Sequence, residues 1–192
     1  TSAADNVLTS LSTAIAKVDS ITGLTVTNTQ SAAQIGNLLG KATDALVTAT
    51  AMGAADLAAV ADNAAKIFAN GVTGTVTVTS ALSAAQIDAL LGKTAVGATV
   101  NVDTTGFSAA QLSAVEDNIA KVDDINSPSI TSSQSAAEIT ALLGAVPDAD
   151  SDATVNASGM SAAQIEAVEG SVTKIAANGL IALTLTSSED VT

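Results

Sequence analysis

A phrase of five residues, Ser-Ala-Ala-Gln/Glu-Ile/Leu, recurs at Ser31, Ser83, Ser108, Ser135 and Ser161, with a degenerate copy from Gly53 to Leu57. Recurrence at this density constrains the fold more than any other feature, because one supersecondary unit has to satisfy every copy. Two kinds of unit alternate. The shorter kind restarts at Ser31, Ser83 and Ser135, from 31 to 83 and from 83 to 135, so the full repeat is a 52-residue pair of units of about 26 residues each.

The phrase is a helix start. In a capping box the Ser hydroxyl accepts from the amide three residues on, and the side chain there, Gln34, Gln86, Gln111, Glu138 or Gln164, accepts from the Ser amide. In the short units the helix then carries Ile35, Leu38 and Leu39, then Ile87, Leu90 and Leu91, then Ile139, Leu142 and Leu143, an i, i+3, i+4 stripe that makes one apolar face. Gly40, Gly92 and Gly144 follow, where a left-handed C-terminal cap would end the helix.

In the long units the stripe extends over Leu57, Val60, Ala64 and Ile67, over Leu112, Val115, Ile119 and Val122, and over Ile165, Val168, Val172 and Ile175. Leu8, Leu11, Ile15 and Val18 keep the same register, so the N-terminal stretch is a long unit whose cap has drifted. Asn70-Gly71 and Asn178-Gly179 read as stop signals for two of the long helices. All six lysines fall on two repeat positions, Lys17, Lys66, Lys121 and Lys174 late in long helices and Lys41 and Lys93 just after short ones, which suits cations to the negative end of a helix dipole.

Short alternating runs follow the helices: Thr25 to Thr27, Thr75 to Thr79, Thr99 to Val102 and Leu183 to Thr186, with weaker versions at Val47 to Thr50, Ser129 to Ser132 and Thr154 to Ser158. Alternation with period two marks half-buried strands, aliphatic residues inward and Thr or Asn outward.

The expected fold is α/β: a helix-strand repeat solenoid with leucine-rich-repeat-like stacking, one parallel sheet backed by a row of Ala-rich helices. A unit this short cannot bury a helix face and a strand face alone, so each leans on its neighbours. Strands separated by a helix pair in parallel through crossovers. Residues 1–192 form a single stack of about seven coils, 4–30, 31–52, 53–82, 83–107, 108–134, 135–160 and 161–187. The alternative makes the 52-residue pair one turn with strands on two faces. Leu185 to Val191 resembles the entry to another short unit, and no polar coil closes either end, so the chain is expected to continue in a longer array or to join copies end to end.

Composition narrows the function. A net charge of −13 from nineteen acids and six Lys, with no Arg, is unsuited to nucleic acid, whose binding draws on clustered cations. No apolar run reaches the length of a membrane span. With no His and no Cys, Ser-His and Cys-His catalysis and zinc ligation are excluded, and the lack of disulfides is compatible with export. Carboxylates remain, and two of them suffice for glycoside cleavage. Asp62, Asp88, Glu116, Asp117 and Glu166, however, recur where a solvated helix face would place them, and no Arg, His, Tyr or Trp is present to position a substrate. A non-enzyme is expected.

Two binding features stand out. Asp148, Asp150 and Asp152, followed by Asn156, place oxygen ligands alternately, as in the opening of an EF-hand loop, although Ala153 and Gly159 stand where its Gly and closing Glu would be. Calcium is therefore possible here, though no cofactor is required. Asp and Ser are also ordinary loop formers. The outward strand face, Thr25, Thr27, Thr75, Thr77, Thr99, Asn101, Thr154, Asn156, Thr184 and Thr186, offers hydroxyls and amides to a glycan or to ice, or is simply a soluble face, interrupted at Asp103, Ser132 and Ala182.

Ser-Ala-Ala-Gln-Ile with Leu-Leu-Gly-Lys, alternating with Thr/Val strands and without Cys, resembles the Ala/Thr/Asp-rich repeat regions of very large bacterial cell-surface proteins, marine cyanobacterial ones among them. The resemblance covers essentially the whole chain, rests on repeat style and carries over no functional residues. It implies an extracellular or cell-surface structural array: a surface layer (S-layer), an adhesin stalk or a filament. The alternative is a binding module that uses the Thr/Asn face for glycan, calcium-dependent adhesion or ice.

Overall fold

The computed structural model describes residues 7, 8, 10–12, 14–147 and 152–182. The helices start where the repeated phrase places them: α1 (Ala32–Gly40), α2 (Ala54–Asp62), α3 (Ala84–Lys93), α4 (Ala109–Glu116), α5 (Ala136–Gly144) and α6 (Ala162–Glu169). All five Ser-headed copies form the reciprocal box. At Ser83, for example, the amide donates to Gln86 Oε1 at 3.0 Å and the Gln86 amide to Ser83 Oγ at 3.3 Å. Gly53 has no hydroxyl, so only the return bond from its amide to Asp56 Oδ2 forms, at 3.2 Å. Val7, Leu8, Ser10, Leu11 and Ser12 are also helical, as the drifted first unit requires.

The short-unit stripes are the centre of the core: Ile35, Leu38, Leu39, Ile87, Leu90, Leu91, Ile139, Leu142 and Leu143 are all fully buried. The glycines behind them do not act as left-handed caps. Gly40 and Gly144 are the last helical residues and Gly92 lies inside α3, and none of them has positive φ. The helices end instead on Lys41, Thr94 and Ala145, whose amides turn back to carbonyls of the last turn. A Cβ at Gly92 would meet nothing within 4 Å. Gly92→Ala is therefore expected to raise stability by roughly 0.5–1 kcal/mol, read as a higher urea midpoint, by restricting the unfolded chain and improving helix propensity.

The long helices are shorter than their stripes. Each stops after two turns and continues as one 3-10 turn, Ala64–Lys66, Ile119–Lys121 or Val172–Lys174, matched by Ile15–Lys17 in the first unit. At the break the side-chain amides of Asn63 and Asn118 donate to the carbonyls of Ala59 and Ala114, at 2.9 and 3.0 Å. Asn competes there with the helix for a backbone acceptor.

The strands are β1 (Ile21–Thr22), β2 (Thr25–Val26), β3 (Ala42–Thr43), β4 (Ala45–Thr48), β5 (Ile67–Thr73), β6 (Thr75–Val78), β7 (Thr99–Asp103), β8 (Asp124–Asn126), β9 (Ser129–Ile130), β10 (Ala153–Asn156) and β11 (Ile175–Ile181). The run Leu183 to Thr186 lies outside the described residues. Every pairing is parallel and joins one unit to the next. The protein is thus mixed α/β.

The expectation of one continuous sheet is corrected: among the described residues the strands form β1-β3 and three sheets, β2-β4-β5, β6-β7-β8 and β9-β10-β11. A short-unit strand is the centre of each three-stranded sheet, and the long-unit strands are shared out. Thus β5 pairs back to β4 while β6, one residue further on, pairs forward to β7. Between the halves sits a residue in the left-handed region: Gly23, Gly74 or Ser127, at φ 64°, 82° and 54°. Such a residue turns the chain out of the ladder.

The Asn-Gly pairs end no helix. They lie inside β5 and β11, with Asn70 and Asn178 at φ 59° and 68°. Opposite them Ala45 and Val47 face Ile67 and Val72, so that one intervening residue of β4 stands against four of β5, and Ala153 and Val155 face Ile175 and Leu180 in the same way. The pair therefore makes a wide bulge. Asn tolerates the left-handed conformation, and Gly is needed for room, since a Cβ at Gly179 would lie 2.7 Å from the Ala153 carbonyl oxygen.

One hydrophobic cluster runs from Leu24 to Val168, joining Val26, Val47, Val72, Val76, Val100, Ile125, Ile130 and Val155 of the strands to the helix stripes. Aromatic rings are absent from its buried part: Phe68 is 46% exposed and Phe107 is half-buried.

Candidate functional site: the outward strand face and the ties between units

On the outward face Thr75 stands beside Thr99, Thr77 beside Asn101, Asn101 in turn beside Asp124, and Thr154 beside Ser129. Thr25 stands beside Leu46, which is 45% exposed. Neighbouring hydroxyls thus extend over two strands, and the one row among the described residues that continues onto a third strand passes from Thr77 to Asn101 and Asp124. Thr27 belongs to a turn, its amide donating to Gln30 Oε1 at 3.0 Å. Thr184 and Thr186 lie outside the described residues.

Of the residues assigned to calcium, Asp148 and Asp150 lie outside the described residues. Asp152 Oδ2 accepts from the amide and hydroxyl of Ser127, at 2.7 and 2.8 Å, and so holds the bend between β8 and β9. Asn156 Oδ1 accepts from the Ser158 amide at 3.1 Å, closing a turn at the end of β10. Asp103 closes the matching turn after β7, where the Thr105 hydroxyl and amide hold its carboxyl below the usual range. Among the described residues no three Asp or Glu side chains converge as metal ligands would.

The carboxylates singled out on the helices are not merely solvated. Asp62 Oδ1 accepts from Gln86 Nε2 at 2.9 Å, and Asp88 Oδ1 accepts from Asn118 Nδ2 at 3.0 Å, each bond crossing from one unit to the next. Glu166 lines a shallow open groove of about 430 Å³ between α5 and α6, walled mostly by Ala136, Ala137, Ala163 and Ala167.

The polar side chains that the fold brings together are those joining consecutive units. Gln111 Oε1 caps α4, and its Nε2 donates to the Leu82 and Ser80 carbonyls, in the turn that leads into α3, at 2.6 and 3.2 Å. Gln164 does the same for α6, donating to the carbonyls of Ser132 and Gln134. This double use was legible only as a hint: Gln, and not Glu, in four of the five boxes keeps an N–H to spare.

Three of the lysines, each in the last turn of its own helical segment, cross in the same sense. Lys93 Nζ donates to the Ile67 carbonyl at 2.9 Å, Lys121 Nζ to that of Thr94 at 2.6 Å and Lys174 Nζ to that of Val146 at 2.6 Å. The four-carbon stem reaches past its own turn to the carbonyls that follow the preceding helix, so the dipole it serves is largely its neighbour's.

No family model, curated protein or solved structure matches this chain. Among the described residues no helix is long and apolar enough to cross a membrane.

Proposed function

We propose that this chain is a structural repeat segment, a solenoid of helix-strand units in an extracellular or cell-surface assembly such as a surface layer, an adhesin stalk or a filament. The observation that carries this reading is the use of its polar side chains: Gln86, Gln111, Gln164, Asn118, Lys93, Lys121 and Lys174 all bond across unit boundaries. Strand pairing between consecutive units supports one unit per turn over a 52-residue turn. The resemblance to repeat regions of large bacterial surface proteins supports the location.

End-to-end joining belongs to the same reading. Leu180, opposite Val155, is 40% exposed, whereas Val72, in the same register opposite Val47, is fully buried. Val172 and Ile181 of the same unit are exposed as well, at 60% and 54%. A further unit, from the same chain or another copy, would cover them. Small-angle scattering and electron microscopy of the purified chain should show a rod that lengthens with concentration, and surface labelling of intact cells should find it outside. A round particle that stays monomeric, or a strictly internal location, would overturn the reading.

Calcium on Asp148, Asp150, Asp152 and Asn156 would act as an added brace, with heat of binding in a calorimetric titration as its test. The binding-module alternative has one observation in its favour: Leu46 and Phe68, on adjacent strands, are both about half exposed on the outward side. A glycan or ice ligand held there should be lost in Phe68→Ser.

A further inference from the structure

The joint between α4 and α5 is built differently from its counterpart between α2 and α3. There Gln86, third in its helix, caps Ser83 with its oxygen and donates its amide to Asp62. The same position in α5 holds Glu138, which caps the Ser135 amide but has no N–H to give. The carboxyl it meets is that of Glu116, the last residue of α4, within hydrogen-bond reach. Glu116 Oε1 is buried and has no donor. Two carboxyls so placed repel unless one keeps its proton, and then they bond. Of the joints between consecutive α-helices, this is also the lightest.

We propose that the α4–α5 joint is closed by one proton held between Glu116 and Glu138, and that it loosens when this proton leaves. The proton resides on Glu116. Burial, then Glu138 and Asp117, push that carboxyl up to about 7, while the amide and hydroxyl of Ser135 hold Glu138 below its usual range. Other charged groups near α4 are engaged elsewhere: Asp88 with Asn118, and Lys121 with the carbonyls of Thr94 and Gly92. The proton thus replaces the N–H that Gln86 supplies.

The direction in pH follows from linkage. Raised in the fold from 4.5 to about 7, Glu116 contributes stability that is fully present below 4.5 and is lost as pH rises through about 7. Glu138, lowered in the fold, acts oppositely and only in acid, below its usual value of 4.5. The joint is firmest between these limits.

Hydrogen exchange on the whole chain at pH 5.5 and 8.5, corrected for intrinsic rates, tests this. The first turn of α5 should lose about tenfold in protection at the higher pH, one unit of the shift after allowance for partial exposure, while α3 does not. Glu138→Gln, which restores the spare amide, and Glu116→Gln, which supplies a permanent donor, should each abolish the difference while leaving the circular dichroism unchanged. Equal losses in α3 and α5, or a pH response that survives in both variants, would overturn the proposal.

Discussion

Leu90→Ala is expected to cost about 2–5 kcal/mol, the range for deleting a fully buried leucine side chain. Leu90 is 0% exposed in α3 and belongs to the cluster that includes Val76, Val100 and Leu91. The lost transfer free energy is about 1.5–3 kcal/mol, and the cavity adds to it because small neighbours held by parallel ladders on both sides have little freedom to close in. The measurement is a urea unfolding series. Where each unit depends on its neighbours, the variant should also unfold less cooperatively, with the units on the two sides of α3 separating into distinct transitions. A loss below about 1 kcal/mol would mean that the seam between units is not packed as described.

Gly74→Ala is the second large effect, and its cause is different. Gly74 lies between β5 and β6 at φ 82°, where an L-residue costs roughly 1–2 kcal/mol. The new Cβ would also lie 2.3 Å from Thr50 Oγ1, which accepts from the Thr75 amide at 3.2 Å. Moving that hydroxyl gives up a hydrogen bond worth about 1 kcal/mol, so the total is about 2–3 kcal/mol. Thr50→Ala in the same chain removes the collision but not the strain. The double variant should therefore lose less than the sum of the two single changes in thermal and denaturant melts. Strict additivity would show that the close approach does not carry energy.

The parts of this fold that were legible in the sequence are local. A capping box and an i, i+3, i+4 stripe are complete within one helix, so Ser83, Gln86, Ile87 and Leu90 announced both the start of α3 and its buried face. Alternation did the same for β6 and β7. What depended on a neighbour was not legible. Lys121 is equally plausible near its own helix end or the preceding one, and only the path of the chain brings Thr94 within its reach. The bends between half-strands hid because Ser127, unlike Gly23 and Gly74, carries no mark of a left-handed position. Asn-Gly signalled a turn correctly, but whether it ends a helix or bulges a strand depends on what lies opposite. In the candidate site, spacing shows which oxygens Asp152 carries but not that the amide and hydroxyl of Ser127 donate to one of them.

The shared long-unit strands have a mechanical consequence. Since β5 is held by the sheet behind it and β6 by the sheet ahead, the three-stranded sheets overlap like bricks in a lapped course. A load that peels one of them open meets a change of direction at Gly74 or Ser127, where the next set of ladder bonds has to be torn at a new angle. Rupture in such a wall is expected to advance in steps of one 52-residue pair, stopping at each corner.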